Sequence, residues 1–267
     1  MARLGGDEFA ILLADLADPA QADATARRIL DAFAAPFSID GKTIPVRMSI
    51  GVATAIAGID ATELVRAADI AMYAAKTGGK GRAVHFDDQL RERASERDAV
   101  QADLAGAIQR RELLLDYQPI WSLESRALVG AEALIRWEHP TRGLLSPQQF
   151  IPQAEQSGLI LAIGGWALQE ARRQMRLWLE AGASRHAHVA VNVSPMQLLA
   201  PGFVADVEAS LAVAGIEPGN LLLEITESAF IDTAEAGRIL AGLKRLGVRL
   251  AVDDFGSGTS SLALLEQ

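Results

Sequence analysis

Four acidic or amide side chains recur at the ends of apolar segments in the second half of this chain. Glu132 stands in Ala131-Glu132-Ala133-Leu134, Asn192 in Val189-Ala190-Val191-Asn192-Val193, and Glu224 in Leu222-Leu223-Glu224-Ile225. Asp253, followed at once by Asp254, closes Leu250-Ala251-Val252. Gathered at one point, several carboxylates are strongly unfavourable unless a cation neutralises them. An all-oxygen set with one amide and no Cys or His suits a hard divalent ion such as Mg²⁺ or Mn²⁺. Two such ions close together suit phosphodiester hydrolysis, one activating water and both offsetting phosphorane-like charge. Arg136 stands four residues beyond Glu132, on the same face of a strand and roughly 13 Å along it, which suits a grip on a phosphate beside a metal. Any one of these acids alone reads more readily as an ordinary buried ion pair; four on successive strands do not.

For these groups to converge, the strands that carry them must lie side by side. Apolar strands are predicted at 113–121, 128–137, 188–193, 221–226 and 248–252, with helices between the later ones. One helix opens at Ser146-Pro147, an N-cap followed by proline at the first helical position. Others end at Gly182, Gly215 and Gly247, where glycine can take the left-handed C-cap conformation. The intervals from Asn192 to Glu224 and from Glu224 to Asp253 are close to one βα unit of an eight-fold barrel, roughly 250/8 residues. Strands alternating with helices imply a parallel sheet, open or closed into a barrel.

The first third reads differently. Two short strands flank Gly5-Gly6-Asp7-Glu8, a helix is predicted over 20–33 and a strand over 46–55. A second helix starts at Asp60, with Glu63 completing a capping box, and ends in the turn Gly78-Gly79-Lys80-Gly81. That turn follows a helix and so is no P-loop. Residues 87–110 form a charged helical stretch with a thin apolar stripe, a linker into the second domain or a solvated spacer. His85, His139, His186 and His188 have no metal-ligand partners at helical spacing and are expected on the surface or in loops. Arg110-Arg111 and Arg172-Arg173 are expected to be solvated helix faces.

The 267 residues carry a formal charge of −9, with 22% charged residues and no cysteine. Disulfides and thiolate metal sites are thereby excluded, and the acidic balance argues against a nucleic acid polymer as partner. No apolar run reaches the ~18 residues of a membrane span, and the N-terminal residues lack the basic-then-apolar layout of a signal peptide. A cytoplasmic location is expected, although a parent protein could carry membrane or sensor segments.

Glu132-Ala133-Leu134 resembles the motif that names the EAL family of cyclic di-GMP phosphodiesterases. Tyr117-Gln118-Pro119, Phe150-Ile151-Pro152 with Glu155, Asn192-x-Ser194-x-x-Gln197, Glu224-Ile225-Thr226-Glu227 and Asp253-Asp254-Phe255-Gly256 match the same family in order. The resemblance implies that Glu132, Asn192, Glu224 and Asp253 hold one metal and that Asp253 and Asp254 face a second. It implies that Gln118 and Arg136 contact the dinucleotide. Glu227 would steady the loop after Asp254, coupling the site to dimerisation in the parent protein. Catalytic roles then fall to Glu132, Asp253, Asp254 and Glu227, with two Mg²⁺ or Mn²⁺ ions, and the reaction is hydrolysis of cyclic di-GMP to pGpG. Ser257 and Thr259 stand where threonine and tyrosine are more usual. The chain also stops before the strand that supplies a catalytic lysine, so this polypeptide alone is expected to be inactive.

Gly5-Gly6-Asp7-Glu8-Phe9 resembles the hairpin of the GGDEF family of diguanylate cyclases. Ser49-Ile50-Gly51-Val52-Ala53 and Ala68-Asp69-Ile70-Ala71-Met72-Tyr73-Ala74-Ala75-Lys76 support it, as does Gly79-Lys80-Gly81-Arg82, with Gly81 in place of the usual asparagine. In that family the glycines approach the nucleotide, Asp7 and Glu8 serve metal binding and catalysis, and Lys76 and Lys80 meet phosphates. The family's upstream half is not present, so cyclase activity is not expected and GTP would serve only a regulatory role. The expected fold is α/β: a partial α+β GGDEF domain over 1–86, a charged helical linker over 87–96, and an incomplete (β/α)8 TIM-type EAL barrel over 97–267. The competing readings are a non-catalytic cyclic di-GMP receptor and a cyclase with a silent EAL part.

Overall fold

The structure is a computed structural model that describes residues 1–16, 18, 20–55, 59–226 and 233–253. The chain divides into two compact units, Met1–Asp98 and Ala99–Gln267.

In the first unit, β1 (Ala2–Gly5) and β2 (Glu8–Ala10) form an antiparallel hairpin, followed by α1 (Ala20–Ala32). A second hairpin that the sequence reading missed joins β3 (Phe37–Ile39) to β4 (Lys42–Ile44). Its signal was the dipeptide Asp40-Gly41, whose φ values of 49° and 76° fit the left-handed positions of a type I′ turn. The strand predicted over 46–55 shortens to β5 (Ser49–Val52), which pairs in parallel with β6 (Arg82–His85) across α2 (Ala61–Thr77). The Asp60 carboxylate accepts from the Glu63 amide at 2.7 Å, the forward half of the predicted capping box. The Glu63 carboxylate turns to Arg91, 3.6 Å away. Leu4, Phe9, Leu12, Phe37 and Ile39 are exposed.

Helix α3 (Asp88–Leu104) spans the boundary between the units. Its last turns are more than a spacer, because Val100 and Leu104 are buried with Ala107, Leu113, Trp137, Phe150 and Ile163 in one core of the second unit. The helix stops at Leu104, so Arg110 lies in turns beyond it and not on a helix face, and it binds Glu112 through Nε and Nη2 at 2.6 and 3.0 Å.

The second unit is a mixed sheet in the order β12-β11-β10-β8-β7 with β9 added to β8. Its strands are β7 (Leu113–Trp121), β8 (Leu128–His139), β9 (Gly143–Leu145), β10 (His188–Val193), β11 (Leu221–Thr226) and β12 (Arg249–Asp253). Between them lie α4 (Ile151–Ser157), α5 (Ile160–Glu180), α6 (Pro195–Leu198), α7 (Phe203–Ala214) and α8 (Thr233–Leu246). Ser146-Pro147 opens a single 3₁₀ turn that leads into α4. Gly182, Gly215 and Gly247 all have positive φ, as their C-cap positions require.

Strands β8, β10, β11 and β12 are parallel, but β7 and β9 run antiparallel to β8. The parallel expectation fails for β7 because only residues 122–127 connect it to β8. A parallel crossover needs a dozen residues or more. Among the described residues the sheet is open, with β7 and β12 at its edges.

Strict alternation separates two faces. Val189, Val191 and Val193 of β10 and Leu221, Leu223 and Ile225 of β11 pack with Leu168 and Met175 of α5, Val207 and Leu211 of α7 and Leu243 of α8. Residues between them in sequence point to the other face.

On that other face His188 sits against Gly130, its partner in the parallel register. A Cβ at Gly130 would fall 2.5 Å from the His188 carbonyl oxygen and 2.9 Å from its Nε2. Gly130→Ala is therefore expected to destabilise the second unit by about 1–3 kcal/mol, read as a lower urea midpoint.

Two histidines correct the sequence reading. His139 is 4% exposed and His188 8% exposed, both within strands. Each is held by a remote partner that local spacing cannot reveal. His139 Nε2 lies 3.1 Å from Asp103 Oδ2, and His188 Nδ1 3.2 Å from Arg249 Nη1. Burial, then Arg249, pushes the His188 pKa down.

Candidate active site

The register brings the four predicted ligands onto one face. Asn192 on β10 lies directly beside Glu224 on β11. Glu132 is paired with Ala190, two residues before Asn192, and Asp253 with Thr226, two residues after Glu224. Two-residue steps preserve the face, so all four side chains stand opposite the helix-covered core. The Asn192 Nδ2 donates to Glu132 Oε1 at 2.9 Å.

Glu224 is the most perturbed acid of the set. Its pKa is pushed up to about 7, first by burial, then by the charges of Glu132 and Asp253, with a hydrogen bond to Glu132. Burial and like charges nearby both favour the protonated form of a carboxyl group.

The donor chemistry fits a hard divalent ion: three carboxylates and one amide oxygen, with no sulfur or imidazole. The acids share a face without closing into a single cluster: among the described residues no group of three or more His, Cys, Asp or Glu is gathered as a metal site. Hydrogen bonds within the set, from Asn192 to Glu132 and from protonated Glu224 to Glu132, occupy acceptors that an ion would take. An ion held by Glu224 would compete with its proton, so Mn²⁺ affinity is expected to rise about tenfold between pH 6 and pH 8. Calorimetry in buffers of different ionisation enthalpy should show close to one proton released at pH 6 and little release at pH 8.

Gln118 on β7 is the antiparallel partner of Glu132 and is exposed beside it. Arg136 shares the face of Glu132 further along β8. Its Nη1 donates to the Ile135 carbonyl at 2.9 Å, and its Nε lies 3.0 Å from Asp116 Oδ2. Asp116 was missed by sequence reasoning, and only strand pairing could have shown it. Glu227 and Asp254 lie outside the described residues.

Arg172 corrects another expectation. It is 5% exposed, and burial lowers its pKa to about 10. It lies three residues before Met175 and four after Leu168, the buried positions of α5. Its neighbour Arg173 does face solvent and pairs with Glu170. A cavity of about 1110 Å³ lined by Trp166, Arg172, Phe203 and Val213 lies beside α5 and α7, and none of Glu132, Asn192, Glu224 and Asp253 lines it.

In the first unit, Gly5 ends β1, Gly6 takes φ +50°, and Asp7, Glu8 and Phe9 are exposed. Arg3 clamps the turn by donating to the Gly6 carbonyl from Nε and Nη2. This hairpin is a two-stranded sheet of its own. Lys80 instead lines a cleft of about 540 Å³ with Leu30, Phe33, Arg47 and Met48, and Lys76 is exposed in the last turn of α2.

Residues 101–267 match the EAL domain family, and residues 1–82 match the family described as diguanylate cyclase, GGDEF domain. The chain is 42% identical over its whole length to MucR of Pseudomonas aeruginosa, a bifunctional diguanylate cyclase/cyclic di-GMP phosphodiesterase, and spans 39% of that protein. The structure resembles PaMucR phosphodiesterase, solved as a c-di-GMP complex, with a TM-score of 0.60 and 45% identity over 63% of this chain and 68% of that one. It also resembles the EAL enzyme Bd1971 in a form with cAMP and cyclic di-GMP bound, with a TM-score of 0.61 and 32% identity over 65% of this chain and 48% of that one. The strand order, the acids aligned on one face and these matches lead to one placement: the chain belongs to the EAL domain family, with a GGDEF-family segment in tandem before it.

Proposed function

We propose that the parent protein of which this chain forms part hydrolyses cyclic di-GMP to pGpG. The observation that carries this reading is the single face bearing Glu132, Asn192, Glu224 and Asp253, with the Glu224 pKa pushed up to about 7 by burial and then by the charges of Glu132 and Asp253. Glu132, Asn192, Glu224 and Asp253 would hold one Mg²⁺ or Mn²⁺, and Asp253 with Asp254 would face a second. Bound divalent ions would supply an acidic water and positive charge against the phosphate.

This chain's residues do the rest. Arg136 binds a phosphate oxygen, and Gln118, beside Glu132, orients the dinucleotide. Asn192 fixes the Glu132 carboxylate through its amide N–H. Residues 1–86 form a regulatory GGDEF-type domain that takes GTP, 87–96 connect it, and 97–267 carry the hydrolytic site of a cytoplasmic homodimer. The test is to incubate full-length protein with cyclic di-GMP and Mg²⁺. Formation of pGpG supports the reading. Tight binding without turnover would replace it with a receptor role.

A further inference from the structure

The cation that meets the phosphate is already engaged by an anion of this chain. Asp116 lies on β7, two residues before Gln118 and opposite Leu134 of β8. Since Leu114 pairs with Arg136, Asp116 and Arg136 are diagonal neighbours on the face that carries Glu132 and Gln118. The Arg136 side chain is 22% exposed and that of Asp116 52% exposed, at 3.0 Å. A half-exposed carboxylate thus covers one edge of a mostly buried guanidinium. The anchoring of Arg136 does not depend on it, because Nη1 is held separately by the Ile135 carbonyl.

We infer that Asp116 competes with the substrate phosphate for Arg136 and so sets the affinity for cyclic di-GMP. This rests on the reading of Arg136 as a phosphate contact. A half-exposed ion pair contributes little stability, so the phosphate displaces the carboxylate at small cost. The displaced charge nevertheless remains within several ångströms of a phosphodiester anion, where like charges repel appreciably at protein-surface dielectric. The penalty falls on bound substrate throughout the reaction, so it raises KM and leaves kcat alone. A residue that positioned Arg136 would act in the opposite direction.

The experiment compares steady-state hydrolysis and equilibrium binding of cyclic di-GMP by full-length protein and its variants Asp116→Asn, Asp116→Ala, Arg136→Ala and Asp116→Asn/Arg136→Ala. Both Asp116 variants should lower KM and Kd about three- to tenfold, with kcat within twofold and stronger weakening by salt. In the Arg136→Ala background the gain from Asp116→Asn should shrink to less than twofold. An unchanged or higher KM in Asp116→Asn, with Arg136→Ala still impairing binding, overturns the competition and leaves the phosphodiesterase reading intact. If Arg136→Ala binds normally, Arg136 is not the phosphate contact, and the proposal falls with that assignment.

Discussion

Glu132→Ala in the full-length protein is expected to reduce cyclic di-GMP hydrolysis at least 100-fold and to abolish Mn²⁺ binding as completely as Asp253→Ala does. Glu132 on β8 and Asp253 on β12 lie to either side of Glu224 on the same face of the sheet, and both raise its pKa. Side chains that hold one ion act as a unit, so the double variant should be little worse than either single one. Additive losses would instead indicate two independent roles and would sink the shared-ion assignment.

The metal-free protein should respond in the opposite direction. Glu224 is protonated in the native state up to about pH 7, while its unfolded value is near 4.5. The native state therefore binds more protons between these values, and stability falls as pH rises through that window. Glu132→Gln removes one neighbouring charge and lowers the Glu224 pKa. At pH 8 without metal this variant should melt above the unaltered protein, by about 2–4 °C for each kcal/mol relieved. A residue essential for activity would then be destabilising in the absence of its ion. Equal or lower melting temperatures would show that Glu132 does not strain Glu224.

How much of this could be read from the sequence depended on how local each determinant was. Glu132, Asn192, Glu224 and Asp253 were legible because strand periodicity and the intervals between them are properties of short stretches. The helix starting after Asp60 was legible for the same reason. Asp40-Gly41 and the short 122–127 connection were equally local, and each pointed to an antiparallel hairpin. The burial of Arg172 was also accessible from its phase relative to Leu168 and Met175, but the doublet with Arg173 suggested a solvated face. The remaining features depend on partners far away in sequence. His139 meets Asp103 and His188 meets Arg249, 36 and 61 residues apart. Asp116 reaches Arg136 only through the β7–β8 register, which no motif encodes.

Trp137→Ala should give the largest loss of stability, about 3–5 kcal/mol, and should impair the site although Trp137 belongs to neither metal nor substrate contacts. Trp137 is fully buried, one residue beyond Arg136, and alternation turns it to the face opposite the acids. Its ring packs edge-on against Phe150 and His139, with centroids 5.7 and 4.8 Å away. Its Nε1 donates to Glu112 Oε2 at 3.1 Å. Glu112 also accepts from Arg110, whose hydrogen bond leads the causes that hold the Glu112 pKa below its ordinary value. Arg110 in turn donates to the Asp103 carbonyl at 2.6 Å, and the Asp103 carboxylate meets His139. The end of α3 is thereby tied to the end of β8 that carries Arg136. Trp137→Phe keeps most of the ring volume but drops the N–H, so the Glu112 carboxylate loses its bond to Nε1 and keeps those to Arg110. Measured by urea unfolding, Trp137→Phe should lose markedly less stability than Trp137→Ala. Both variants should raise KM for cyclic di-GMP more than they lower kcat, because the displaced strand carries Arg136, the proposed phosphate contact. A Trp137→Ala protein with unaltered KM would separate this core from the site and confine the role of Trp137 to folding.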